Sequence, residues 1–204
     1  MLIGVDYDQE TAASAVKLHP DVDLRTVCSD GAKLPLRTAS FDDVCSSHLI
    51  EHFVDPEFHV AEVARVLSDD GRAFFLTPNE PADFENPYHV YLFSPEDLQA
   101  MLGRHFNTVT IMGLDATPEV KADFEKRRAM ANKLLRLDPF GIRHKLPRSA
   151  FVWLHATGRR VAYRFTNTEQ VGGQSGITDA EFFTTDSIDA STLVLIAVAE
   201  NPKR

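Results

Sequence analysis

Short apolar runs alternate with amphipathic stretches through the first two-thirds of the chain, and few folds accommodate that rhythm. A strand buried on both faces reads as an unbroken apolar run, whereas a helix that covers it carries an apolar stripe at helical spacing. Repetition of the two predicts an α/β domain around a mostly parallel sheet. Residues 2–6 read as a buried strand and 9–18 as a helix, with Ala12, Ala15 and Val16 on one face and Pro20 beyond its end. Further strands are expected at 24–28, 41–46 and 72–77, the last entered through the turn Asp69-Asp70-Gly71. Between them, 58–67 is a helix whose Val60, Val63, Ala64 and Leu67 form one stripe. Ser94-Pro95-Glu96-Asp97 is a helix start, with Ser94 as N-cap, Pro95 in the first position and Asp97 completing a capping-box-like arrangement. That helix runs to about Gly103; strands follow at 108–114 and 192–199, with a long amphipathic helix between them stopped before Pro139.

The length of 204 residues fits one domain with a substantial core. No apolar run approaches the about 18 residues of a spanning helix, and the start lacks the basic and long apolar segments of a secretory leader, so a cytoplasmic location is expected. Cys28 and Cys45 match no metal spacing and are expected to be buried, reduced thiols. The net charge of −9 argues against a nucleic-acid partner. It is unevenly spread: residues 121–164 hold 12 Lys and Arg against 3 Asp and Glu, a local charge of +9. Cations there alternate with Phe124, Leu134, Leu135, Phe140, Ile142 and Phe151, which fits a solvated helical lid, recognition of an anionic acceptor, or peripheral contact with an anionic membrane.

Several short blocks carry chemistry. Gly4-Val5-Asp6 places a carboxylate at the carboxyl end of a strand, the edge where open α/β sheets bind ligands; the acid serves equally well as a cap on the next helix. Ser29-Asp30-Gly31-Ala32-Lys33-Leu34-Pro35 puts a second carboxylate beyond the next strand. Ser40-Phe41-Asp42-Asp43-Val44-Cys45-Ser46-Ser47-His48-Leu49-Ile50-Glu51-His52 follows, then Glu62-Val63-Ala64-Arg65-Val66-Leu67 and Leu76-Thr77-Pro78-Asn79. In order and spacing these blocks resemble the class I methyltransferases of the type 11 branch, over roughly residues 1–115 and the final strand.

The resemblance implies a Rossmann-like, mostly parallel twisted sheet with helices on both faces, and S-adenosyl-L-methionine as cofactor. It implies that Asp6 holds the ribose hydroxyls beside Tyr7, that Asp30 and Gly31 meet the adenine, and that Ser46, Ser47 and His48 line the methionine end. The acceptor would be a small molecule, a glycan or a lipid-linked molecule. The family's glycine-rich loop and the strand before it are absent from these residues, so the chain is expected to be a fragment or a degenerate copy with an unpaired sheet edge prone to self-association. The competing reading is a non-catalytic, methyltransferase-like binding or assembly module. The expected division is a core at 1–116, a basic helical insertion at 117–165 and a closing loop and strand at 166–204.

Three further features compete for a role. His48-x-x-Glu51-His52 spells an inverted zinc-protease signature, but that reading needs a sustained helix, and Asp55-Pro56 interrupts the segment, so no metal is expected. His89 stands in a loop after the fifth expected strand and is a candidate general base, or a histidine that only binds loop backbone. Gly172-Gly173-Gln174-Ser175-Gly176 lacks the flanking strand and helix of a phosphate loop, and Trp153 sits in an apolar run as a packing residue.

Overall fold

The computed structural model describes residues 1–83, 88–135 and 177–204, and the side chains among them other than 127 and 130–135. The elements run β1 (Leu2–Asp6), α1 (Gln9–Leu18), β2 (Leu24–Cys28), β3 (Phe41–Ser47), a 3₁₀ turn (Ile50–His52), α2 (Glu57–Val66), β4 (Leu67–Pro78), α3 (Pro95–His105), β5 (Phe106–Ala116), α4 (Pro118–Leu135), a second 3₁₀ turn (Asp179–Glu181), β6 (Phe182–Thr185) and β7 (Val194–Pro202). The mixed α/β architecture expected from the alternation is present.

Local chemistry sets the helix starts. Asp8 caps α1, its Oδ2 accepting from the Thr11 N–H at 2.7 Å. Ser94 caps α3 as expected: its Oγ accepts from the Asp97 N–H at 3.1 Å and donates to Asp97 Oδ2 at 2.8 Å, with Pro95 in the first turn.

The strands form two separate ladders. β1 and β2 pair in parallel, Leu2 opposite Leu24 through Asp6 opposite Cys28. The other five lie in the order β3-β4-β7-β5-β6, with β3 and β4 parallel and every other neighbouring pair antiparallel. Because β7 opposes both β4 and β5, those two strands point the same way. Among the described residues, β1 and β3 each keep one unpaired edge. Strand pairing along β4 begins at Leu67, earlier than expected: Leu67 pairs with Phe41 and Arg72 with Asp43, so the turn Asp69-Asp70-Gly71 survives as a bulge inside the strand. A Cβ at Gly71 would come within 2.8 Å of Leu67 Cδ2 and 3.1 Å of the Asp42 carbonyl oxygen, which explains a glycine there.

The core lies where the five-stranded sheet meets α2 and α3. Ala73, Phe75 and Thr77 on β4 alternate inward and face Ala199, Ala197 and Leu195 of β7, the two alanines making room for the Phe75 ring. Val60, Val63 and Ala64 of α2 and Leu98, Met101 and Leu102 of α3 close over them with Phe106. Each fully buried Leu or Phe side chain there contributes about 1.5–3 kcal/mol. No described helix is long and apolar enough to cross a membrane. Both cysteines are free thiols, and both are exposed on strand ends rather than buried as expected. Residues 136–165 of the expected insertion, including Trp153, and the glycine run 172–176 lie outside the described residues.

Candidate functional site

A cavity of about 460 Å³ lies between the two ladders, walled by β1 on one side and β3 on the other. Parallel pairing sends the carboxyl ends of β1 and β2 to the same edge, so the turns that follow them project together. Asp6, Tyr7, Asp30, Gly31 and Ser46, five of the residues expected to hold a cofactor, all line this cavity. In the Asp6 carboxylate, Oδ1 accepts from the Asp8 N–H at 2.8 Å; in Asp30, Oδ1 accepts from the Ala32 N–H at 2.9 Å. Each turn is thereby fixed with one carboxylate oxygen, and the other has no hydrogen-bond partner among the described residues. Tyr7 is 81% exposed and flanks the mouth. Leu34, Leu36, Val44 and Val63 supply apolar wall. Two hydrogen-bond-accepting carboxylates over apolar side chains suit a nucleoside, hydroxyls against the acids and base against the wall.

Ser47 lines neither cavity described here, whereas His48 and His89 line a second one of about 410 Å³ with Leu114, Val120, Asp123, Phe124 and Phe182. His48 follows directly on β3 and takes a left-handed backbone, φ 50°. Its Nδ1 lies 3.4 Å from Glu51 Oε1, an ionic contact without hydrogen-bond geometry. Glu51 raises the pKa of His48 above its ordinary value. Glu51 itself has no exposed surface. Burial works to raise its pKa, yet His48, its own backbone N–H and His52 hold it below the usual carboxylate range. Its Oε2 accepts from Thr77 Oγ1 at 3.2 Å.

His89 is oriented by Asp83, whose Oδ2 is 2.8 Å from Nδ1, and its ring packs edge-on to His52 at 5.3 Å. The backbone carbonyl of Glu51 accepts from the N–H groups of Val90 and Tyr91, which docks this loop on the 3₁₀ turn. His48 and His89 thus share the second cavity, while Asp6, Tyr7, Asp30, Gly31 and Ser46 gather in the first and Ser47 in neither.

Sequence reasoning missed His59. It occupies the buried face of α2, four residues before Val63, and is 4% exposed. Its Nδ1 is 2.9 Å from the Gly31 carbonyl oxygen and its Nε2 2.8 Å from Ser46 Oγ, so one ring ties the turn after β2 to strand β3. A neutral ring donating from Nδ1 and accepting at Nε2 satisfies both partners. Burial lowers its pKa against the opposing pull of the Gly31 carbonyl and Asp30. Phe53 stacks on it at 5.0 Å. A Cβ at Gly31 would stand 3.2 Å from Phe53 Cζ and 3.3 Å from His59 Nδ1. The one signal in the sequence was the helical spacing of 59 with 63 and 66.

Residues 1–75 match the family described as methyltransferase domain. Over those 75 residues the chain is similar to methyltransferase domains. Beyond this match, it is 35% identical over 107 residues to a Mycolicibacterium smegmatis protein described as a probable S-adenosylmethionine-dependent methyltransferase. The matched stretch is 50% of this chain and 41% of that relative, so the chain spans less than half of it. Among solved structures, a SAM-dependent methyltransferase from Thermotoga maritima superposes with a TM-score of 0.57 at 15% identity, covering 98% of this chain and 72% of that one. The cyclase SpnF superposes at 0.55 and 14% identity, covering 99% and 67%. The methyltransferase fold thus extends across the described chain, and a cyclase among its relatives shows why function has to be argued from the site.

Proposed function

We propose that the chain binds S-adenosyl-L-methionine in the first cavity and transfers its methyl group to an acceptor in the second. The observation that carries this reading is the convergence of Asp6, Tyr7, Asp30, Gly31 and Ser46, from the ends of β1 and β2 and from strand β3, on one cavity. When bound, the sulfonium supplies an already activated methyl group, which leaves the protein to orient, exclude water and take up a proton.

The unengaged carboxylate oxygen of Asp6 accepts from ribose hydroxyls, and that of Asp30 from the adenine amino group. Ser46, near the carboxyl end of β3, lies toward the methionine end. His48 opens on the second cavity, so the segment from Ser46 to His52 borders both cavities. His89, aligned by Asp83, is placed to accept a proton from the acceptor's attacking atom. Val120 and Phe124 of α4 line the same cavity, and Arg128 donates to the Pro81 carbonyl oxygen at 3.1 Å, holding α4 over it. Leu114, Val194 and Phe182 give the cavity an apolar character, while the basic stretch beginning on α4 favours an anionic group at its rim, as in a small acid or a lipid-linked acceptor.

Calorimetry with S-adenosylhomocysteine tests the cofactor assignment. Asp6→Ala and Asp30→Ala should each weaken binding by about 1–3 kcal/mol, the cost of leaving a buried donor unpaired. Unchanged affinity in both variants would overturn the assignment.

A further inference from the structure

We propose that Glu51, His52 and His89 form a binding site for a divalent transition-metal ion at the wall between the two cavities. Each of the three residues offers one ligand atom, and these atoms lie within 4.8 Å of one another. A zinc-class ion bonded at about 2.0–2.2 Å holds its ligands a little over 3 Å apart, so small rotations of the His52 and His89 side chains bring the cluster to bonding distance.

Three observations distinguish this cluster from a chance grouping of polar side chains. First, Glu51 is wholly buried, and its Oε1 has no hydrogen-bond partner, while Oε2 is fixed by Thr77. Among the described residues Oε1 otherwise meets only His48 Nδ1, at 3.4 Å and outside hydrogen-bond geometry, so this buried oxygen is under-satisfied, and a metal ion is one group that completes it. Second, both imidazoles are held through Nδ1, His52 by the Tyr88 carbonyl oxygen at 2.8 Å and His89 by Asp83 Oδ2 at 2.8 Å. A ring that donates from Nδ1 to an oxygen presents Nε2 as a lone pair, and an outer carboxylate or carbonyl on the far nitrogen is the usual partner of a metal-bound histidine. Third, the backbone bonds from Val90 and Tyr91 to the Glu51 carbonyl oxygen fix the His89 loop to the turn that carries the other two ligands.

Two imidazoles and one carboxylate suit Zn²⁺, Co²⁺ or Fe²⁺ over Ca²⁺ or Mg²⁺, and three protein ligands leave a position for water or an oxygen of a bound molecule. His52 borders the first cavity and His89 the second, so that open position lies where the two meet. This arrangement differs from the inverted zinc-protease signature: His48 is not a ligand, and His89, far along the chain, takes its place. The inference does not rest on methyl transfer. In the metal-loaded protein His89 is a ligand and not a base, so its two uses exclude each other.

The test uses the full chain, stripped with chelator and titrated with Zn²⁺ by calorimetry and with Co²⁺ by visible absorption. One equivalent should bind with at least micromolar affinity, and Co²⁺ should show the intense bands of a four-coordinate site. His89→Ala should abolish the bands. Asp83→Asn should weaken binding about 10- to 100-fold while keeping the fold, since it removes only the outer carboxylate. Circular dichroism and thermal midpoints of the variants establish that they are folded. Absence of one-to-one binding, or binding by folded His89→Ala equal to that of the unaltered chain, would overturn the site, whichever way the S-adenosylhomocysteine experiment falls.

Discussion

At the scale of single residues, His59 shows how one buried ring can hold a ligand site together and make it sensitive to acid. Its folded pKa is below the ordinary 6.5, because burial penalises the charged ring. The sign follows directly: the unfolded chain binds the extra proton first, so the contribution of His59 to stability is full above about pH 6.5 and is lost as pH falls through the folded value. Urea midpoints should therefore drop between about pH 7 and pH 5, and His59→Gln should flatten that dependence. His105, lowered by burial and by Arg104 and Lys203, adds a slope of the same sign that the variant retains. An unchanged profile in His59→Gln would show that the ring does not carry the effect. The residue escaped sequence reading because a stripe is traced through its apolar members, and a histidine among them reads as a break. Glu51 was visible as part of a motif, yet its burial depends on Thr77 and on the loop at 88–91, contacts far along the chain that no local pattern reports.

At the scale of elements, β1, α1 and β2 were legible to the residue, since each has a clean period and a strong stop, and α3 because its cap is made by adjacent side chains. Two departures have separate causes. β4 extends back through a glycine turn because the strand can re-pair with Phe41 across a bulge, a choice made by the partner strand. β6 went unread: Phe182–Thr185 is a four-residue strand, at the edge of the sheet among the described residues, that pairs with Gly113–Ala116. α4 appears as the expected long helix, anchored by Lys121, which donates to Asp115 at 2.6 Å and to Ser191 Oγ at 2.9 Å. Its continuation holds most of the basic residues. Should this stretch face anionic lipid, cosedimentation with anionic vesicles should be strong at low salt, weak at high salt and absent for neutral vesicles. Changing Arg127, Arg128, Arg143 and Lys145 together to Ser should abolish it. Equal, negligible binding under every condition would leave the stretch as a solvated lid.

For the whole molecule, the consequence of having two ladders is one of uneven local opening. The five-stranded sheet shares a continuous core with α2 and α3, whereas β1 and β2 form a two-stranded ribbon backed by α1, a size that is marginal by itself in water. Backbone amides of Leu2–Asp6 and Leu24–Cys28 should therefore exchange with deuterium well before those of β4 and β7, because opening the ribbon leaves the main core intact. The cavity between β1 and β3 turns this weakness into a sensor of occupancy. A nucleoside that touches Asp6 and Asp30 on the ribbon and Ser46 on the larger sheet binds only when the two are closed together, so it raises the free energy of opening by its own binding free energy. Exchange at β1 and β2 should slow on adding S-adenosylhomocysteine while that at β4 and β7 stays constant. Uniform protection across both ladders in the ligand-free chain would mean that they open as one cooperative unit, with the ribbon already held shut.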